Sequence, residues 1–258
     1  EELNAKLIES ESIKSQFLSN ITNEINNPMA AILGLVRSVI NHAEEPDFVR
    51  KNAELVFQEA FSLNFQLQNI HCASTIESGN SFPDCALVDI PSLVHALHDN
   101  YKYLLEKKEI SLNLNINADS PFCTDSEKLK IILANLLSNA IKFSEKGQAV
   151  EFEINSTEKA LSISINDDGI GIDLENQKEI FNRFIQLEKG TTKHFTGHGL
   201  GLSVVSALIY QLDGELSVQS KLGKGTCIIV DLPFASETAN GSSDFGNDIL
   251  FDDSAEEF

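Results

Sequence analysis

Positive charge is scarce in this chain: 258 residues carry 19 Lys+Arg against 39 Asp+Glu, a formal net charge of −20. Such a balance argues against a nucleic-acid or anionic-membrane surface, so a phosphate-rich ligand must be held by local geometry rather than by a basic field. Long hydrophobic runs are missing as well. No apolar stretch approaches the ~18 residues of a membrane span, and the opening EELNAKLIES has neither Met nor the apolar core of a signal peptide. These absences predict a soluble piece of a longer protein, with any membrane contact made by segments outside it. Cysteine is sparse and scattered. Cys72, Cys85, Cys123 and Cys227 form no CxxC pair and have no nearby His at metal spacing, which argues against zinc and disulfide frameworks and predicts buried free thiols in a reducing compartment.

What is present is ordinary globular material, 42% hydrophobic and 22% charged, enough for one large or two modest domains. From Leu3 to about Ile40, apolar residues recur three or four apart (Ile21, Ile25, Met29, Ile32, Val36 and Val39 among them). This is the pattern of a long amphipathic helix, with a bend expected at Pro28. The polar, Pro-containing stretch 41–47 breaks it, and a second helical pattern runs to about Thr75. A helical hairpin over residues 1–80 has too little partner surface to stand alone, so pairing of two copies through residues 1–75 into a four-helix bundle is expected. Residues 77–85 read as a linker.

The period then changes. A short strand at 86–90, a helix opened by Pro91 and Ser92, an alternating strand at 110–116 and a helix from an Asp125 cap through Lys142 come first. Strands at 148–155 and 161–167, a helix over 199–211 and strands at 215–220 and 225–232 follow. This order predicts an α/β sandwich over residues 84–234, a mixed, largely antiparallel sheet with helices on one face, and an α+β chain overall. Residues 235–258 hold seven acids (Glu237, Asp244, Asp248, Asp252, Asp253, Glu256, Glu257) and no Lys or Arg; this stretch is expected to be a disordered tail or a linker.

Three glycine-containing stretches surround one helix: Asp167–Ile172 (DDGIGI) after a strand, Gly197–Leu202 (GHGLGL) opening a helix, and Gly223–Thr226 (GKGT) in a turn. Upstream, Asn135 and Asn139 lie four apart on one helical face, with Lys142 three further on. Two Asn on one stripe of a buried helix call for polar partners. In that order the stretches resemble the ATP-binding domain of sensor histidine kinases, within the superfamily of type II topoisomerases, mismatch-repair ATPases and heat-shock chaperones. ILANLLSNAIKFS is similar to the N box, DDGIGI, GHGLGL and GKGT to the three glycine boxes, and IFNRF, with Phe181 and Phe184, to the F box. The resemblance implies that Asp167 accepts a hydrogen bond from the adenine amino group while Gly169 and Gly171 let the backbone approach the base. It also implies that Asn139 is an oxygen ligand to Mg²⁺ and that Asn135 and Lys142 face the phosphates. Gly197, Gly199, Leu200 and Gly201 would present backbone N–H groups at a helix N-terminus, with Thr226 in the third box. Residues 185–196 would form a lid.

The hydrolysing members of that superfamily carry a glutamate where this chain has Asn135, four residues before the metal-binding Asn. Without a carboxylate base, water attack should be slow, and transfer to a protein acceptor is the better reading. Residues 15–34 resemble the dimerisation and phosphoacceptor helix of the same kinases, whose core reads His-Glu-x-x-Asn/Thr-Pro. Here it reads Asn23-Glu24-Ile25-Asn26-Asn27-Pro28, so Asn23 stands at the acceptor position, with Glu24 the general base by resemblance and Asn27 one turn on. A carboxamide nitrogen has its lone pair delocalised and does not attack phosphorus, and none of the six histidines is followed by Glu-x-x-Asn-Pro. Two readings of Asn23 stand open, an introduced acceptor-to-Asn change and a natural degenerate kinase. The resemblance implies ATP and Mg²⁺ as ligands and a receiver domain of a response regulator, fused or separate, as partner. It places the fragment in the cytoplasm, with the full protein anchored in a bacterial inner membrane. The expected function is a histidine kinase core that binds nucleotide and does not phosphorylate itself. The alternative is a pseudokinase acting as a receiver phosphatase or as a heterodimerising scaffold.

Overall fold

The structure is a computed structural model describing residues 2–79, 81–118, 120–181 and 199–235, with side chains described from Ile21 onward except that of Glu24. Two long helices come first, α1 (Glu2–Asn41) and α2 (Pro46–Glu77). Their connection closes with the Glu45 N–H donating to the His42 carbonyl at 2.9 Å, and Pro46 starts α2 where a missing N–H costs nothing. Pro28 lies inside α1, which continues as one helix through it, and its ring is buried.

The apolar residues of α1 divide into two stripes rather than one seam. Ile21, Ile25, Pro28, Ile32, Leu35 and Val39 are buried or half-buried, on the helix that packs along α2. Met29, Leu33, Val36 and Ile40 point outward, with Leu33 65% and Ile40 69% exposed. Met29 and Val36 thus leave the seam expected from spacing, because at 3.6 residues per turn a helix packed on one neighbour can bury only one side of a broad apolar face.

The second half of the chain forms β1 (Ala86–Val88), α3 (Ile90–Lys108), β2 (Ser111–Asn117), β3 (Phe122–Thr124) and α4 (Ser126–Phe143). After these come β4 (Ala149–Ser156), β5 (Ala160–Asp167), a 3₁₀ turn (Glu179–Phe181), α5 (Gly201–Gln211), β6 (Glu215–Ser220) and β7 (Thr226–Pro233). The main sheet has the order β2-β4-β5-β7-β6. Only β2 and β4 are parallel, and the chain between them passes through α4, since a parallel pair requires a crossover connection. β1 and β3 form a separate antiparallel ribbon; β3, three residues long, carries too little alternation to be read from sequence. Along β4 and β5, Val150, Phe152, Ile154, Leu161, Ile163 and Ile165 face the helices while Glu151, Glu153, Ser162 and Ser164 occupy the other face. This is the one-sided cover expected. Cys72, Cys85 and Cys123 are buried free thiols as anticipated, whereas Cys227 is only half-buried, because it sits on the uncovered face of β7.

The core centres on α4, where Leu129, Ile132, Leu133, Leu136 and Leu137 are sealed from solvent. Both ends of this helix are tied. At the start, Asp125 accepts from the Lys128 backbone N–H at 2.9 Å, from the Lys128 ammonium at 2.9 Å and from the Asp84 N–H at 2.9 Å. At the far end, the Lys108 ammonium donates to the carbonyls of Ile141 (2.7 Å), Lys142 (2.8 Å) and Ser144 (3.0 Å). It thereby satisfies acceptors that a helix terminus leaves open and complements the negative end of the dipole.

The second half of α2 lies against this domain. The Phe61 ring meets Tyr101 edge-on at 5.4 Å, and Phe65, Ile70 and Ile76 pack onto the same core. Replacing Lys108 with Met keeps the stem but strands three carbonyls. We expect Lys108→Met to lower stability by about 1–3 kcal/mol in thermal denaturation, and Lys107→Met, at an exposed neighbour, to stay within about 0.5 kcal/mol.

Candidate functional site

The inward end of α4, the N-terminus of α5 and the end of β5 converge. Asn135 is buried on α4; its amide nitrogen donates to Asn69 Oδ1 of α2 at 2.7 Å and to the Ile131 carbonyl at 2.9 Å. Its oxygen lies against Gly201, where an added Cβ would come within 2.6 Å of it, so only glycine lets α5 start so close to α4. Asn139, one turn on, is half-buried. The Lys142 ammonium stands 5.0 Å from the centre of the Phe143 ring.

Helix α5 opens without a side-chain cap. Leu200 occupies the N-cap position and is itself buried, while Gly199 has φ +67°. The first N–H groups of α5 therefore have no side-chain acceptor at the cap, and the positive end of the dipole adds to them. That is the arrangement in which helix termini receive anions.

Asp167 ends β5, buried, accepting from the Gly169 N–H at 2.9 Å and paired in register with Thr226 of β7. Burial pushes its carboxyl up to about 6; the Gly169 and Thr226 N–H groups pull the other way, and neighbouring Asp168 adds to the rise. Gly225, at φ +87°, packs its backbone directly on the Asp167 carbonyl, where a side chain would collide. The glycines of the first box do related work: side chains at Gly169 and Gly171 would strike the carbonyls of Phe143 and Lys221. The close approach they permit in this structure is between protein strands and loops, beyond the approach to a base that the resemblance implies. The Thr226 hydroxyl is 2.9 Å from Ser220 Oγ, and Ser220 Oγ in turn donates to the Gly225 carbonyl at 2.8 Å and accepts the Ile172 N–H at 2.8 Å, fixing the loop beside Asp167.

Asn135, Asn139, Gly199, Leu200 and Gly201 thus come from two abutting helices, and Asp167, Gly169, Gly171 and Thr226 form the strand-end part. Phe181 is half-buried in the 3₁₀ turn. Phe184, Gly197, the 185–196 segment and the tail from 236 onward lie outside the described residues, as does the side chain of Glu24. Asn23 and Asn27 are exposed on α1, a separate element from this cluster. Asn135 differs from its expected setting: instead of facing only a ligand, its amide is engaged by α2. Asn69 went unread in the sequence, although Phe61, Phe65, Asn69 and Cys72 recur at helical spacing and would have marked a second buried stripe on α2. Lys108 and Gln148, whose amide donates to the Asp168 carbonyl at 2.9 Å, carry no such signal.

The residues fit ATP and Mg²⁺: a buried carboxylate for an amino group, an uncapped helix start for phosphates and a carboxamide oxygen of the hard kind that Mg²⁺ takes alongside waters and phosphate oxygens. Residues 124–236 match the family described as histidine kinase-, DNA gyrase B-, and HSP90-like ATPases. The chain is 27% identical over 223 residues to the sensor-like histidine kinase SenX3 of Mycolicibacterium smegmatis, covering 86% of this chain and 58% of that protein. It is 32% identical over 235 residues to the autoinducer 2 sensor kinase/phosphatase LuxQ of Vibrio vulnificus, covering 87% of this chain and 27% of that protein. The chain thus spans little more than half of the first of these relatives and about a quarter of the second. In fold it is similar to the Acinetobacter baumannii histidine kinase AdeS, with a TM-score of 0.58 at 20% identity over 83% of this chain and 98% of that one.

An ionised carboxylate accepts a hydrogen bond more strongly than a protonated one, so if Asp167 receives the adenine amino group, ATP affinity should fall as pH drops through about 6, measured by calorimetry between pH 5 and 8. The raised value has a second consequence of opposite sign. A carboxyl that holds its proton more tightly folded than unfolded contributes stability at low pH that is lost as pH rises through about 6. Asp167→Asn should therefore abolish ATP binding yet raise the melting temperature of the nucleotide-free chain at pH 8; a lower melting temperature would contradict the assignment.

Proposed function

We propose that this chain is a histidine kinase transmitter core that binds ATP·Mg²⁺ in the cluster around Asp167, Asn139 and Gly201 but does not phosphorylate itself. The observation that carries the proposal is Asn23, exposed on α1 at the acceptor position and lacking a nucleophilic nitrogen. Asp167 orients the adenine, Gly169 and Gly171 shape the floor beside it, Asn139 supplies an oxygen to Mg²⁺, and Asn135 and Lys142 with the N–H groups from Gly197 to Gly201 receive the phosphates. Mg²⁺, when bound, neutralises phosphate charge that a chain of net −20 cannot balance from a distance.

The buried amide at Asn135, in place of a carboxylate base, supports transfer to a protein group over hydrolysis. With histidine at position 23 and Glu24 as base, the phosphoryl group would pass from ATP to imidazole and then to an aspartate of a receiver domain. The hairpin, residues 1–80, pairs with a second copy through residues 1–75. The unpaired stripe of Met29, Leu33, Val36 and Ile40 supports this, since four-helix bundles bury such faces. The nucleotide domain occupies residues 84–234. It works in the cytoplasm, where ATP is available, and the anchor and sensor belong to other segments of the protein.

A second reading is favoured by Asn27, which is exposed one turn from Asn23 on the same helix. An amide there can orient water onto a phosphorylated receiver aspartate, and the relative LuxQ is described as a kinase/phosphatase. The chain would then act as a receiver phosphatase.

Incubated with γ-labelled ATP, the purified chain should take up no label, whereas Asn23→His should become labelled on histidine. Label on the unaltered chain would overturn the first reading. For the second, decay of a phosphorylated cognate receiver should be faster with the chain than without it, and Asn27→Ala should remove the acceleration; identical decay with both proteins would refute it.

A further inference from the structure

The amide of Asn135 has two hydrogens, and both are committed. One goes to Asn69 Oδ1 at 2.7 Å and the other to the Ile131 carbonyl within α4 at 2.9 Å. Asn69 is oriented for this role, because its own amide donates back along α2 to the Phe65 carbonyl at 3.0 Å, which leaves its oxygen turned toward Asn135. Both side chains are buried, so water does not readily substitute for either partner. Asn135 lies against Gly201, the first residue of the uncapped helix start, and is the residue whose amide the nucleotide reading assigns to the phosphates.

Resting on that reading, we propose that Asn69 of α2 competes with the nucleotide phosphates for the amide of Asn135, so that docking of the helical hairpin on the nucleotide domain opposes ATP binding. A phosphate oxygen can accept from this amide only when Asn69 gives it up, and a displaced Asn69 oxygen beside phosphate oxygens would set acceptor against acceptor. Other contacts of the same interface include the Phe61 edge on Tyr101, the packing of Phe65, Ile70 and Ile76 on the core and the exposed hydrogen bond from Lys107 to Gln58 at 3.4 Å. They hold α2 in place without using the Asn135 amide, whose hydrogens go to Asn69 and Ile131. The domain therefore has two states, hairpin docked with Asn135 engaged or nucleotide bound with α2 loosened. Linkage makes the effect reciprocal: whatever strengthens docking weakens nucleotide binding by the same factor, and the converse. Asn69 acts here as a positioning residue for Asn135.

The test compares ATP·Mg²⁺ affinity by calorimetry in the unaltered full chain, Asn69→Ala and Asn69→Asp. Alanine frees the amide and should tighten binding about three- to tenfold, the worth of one hydrogen bond of ordinary strength. Aspartate holds the amide more strongly and faces the phosphates with a charge, so it should weaken binding. Damage to the fold would weaken both, and opposite signs are what separate competition from damage. Equal affinities in all three overturn the competition. Absence of binding in all three means that the nucleotide reading itself has failed, and the coupling with it. A second measurement needs no variant: in the unaltered chain, backbone amides of residues 65–76 should exchange hydrogen faster once ATP·Mg²⁺ is added. Unchanged or slower exchange overturns the proposal, whatever the variants' stability.

Discussion

One helix is asked to be core and site at once, and the rest of the nucleotide domain is arranged around that demand. The apolar side of α4 is sealed against the sheet and its covering helices, while its other stripe carries Asn135, Asn139 and Lys142. A helix in this position cannot slide without exposing leucines or burying a lysine, and side chains from elsewhere hold both its ends. Asp125 links the start of α4 to the chain arriving from α2 through the Asp84 N–H, and Lys108 links its end to α3. The carbonyl of Phe143, the last residue of α4, then receives the Ile170 N–H at 3.3 Å. The glycine loop beside Asp167 is in this way registered against the same helix.

Charge is handled locally. A chain with twice as many acids as bases offers no general attraction to a polyphosphate, and what it offers instead is directional: N–H groups at an uncapped helix start and a few amides. Burying Asp167 belongs to the same economy. An acceptor removed from water distinguishes an amino group by whether a hydrogen bond is made or a buried group is left unsatisfied, and the raised carboxyl pKa is the cost of placing it there.

The hairpin connects to this machinery through more than a tether. Its second helix shares a core with α3 and α4 and reaches Asn135, while its first helix keeps one apolar stripe turned outward. One helix pair therefore carries two apolar surfaces, one packed inward on the second half of the chain and one turned outward on α1. A change in how α2 sits bears on both.

Much of this was legible in the residues. Period 3.6 followed by period 2 located the hairpin and the sheet, Asp125 marked the start of α4, and the glycine and asparagine motifs marked the three parts of the cluster around Asp167, Asn139 and Gly201. These features are local: a cap, an alternation or a glycine turn depends on neighbours a few residues away, so sequence alone determines them. The carboxamide at Asn23 is likewise a fact of sequence, since its lack of a nucleophilic nitrogen needs no coordinates. What only tertiary structure decided are contacts between distant segments. Spacing could list the apolar residues of α1 but not divide them into an inner and an outer stripe, because that depends on which side α2 approaches. Nothing near Lys108 foretells three carbonyls 33 to 36 residues away, and nothing near Asn69 foretells an amide 66 residues on. Such hydrogen bonds exist only where packing excludes water and brings the two groups within reach, and packing is a property of the whole chain.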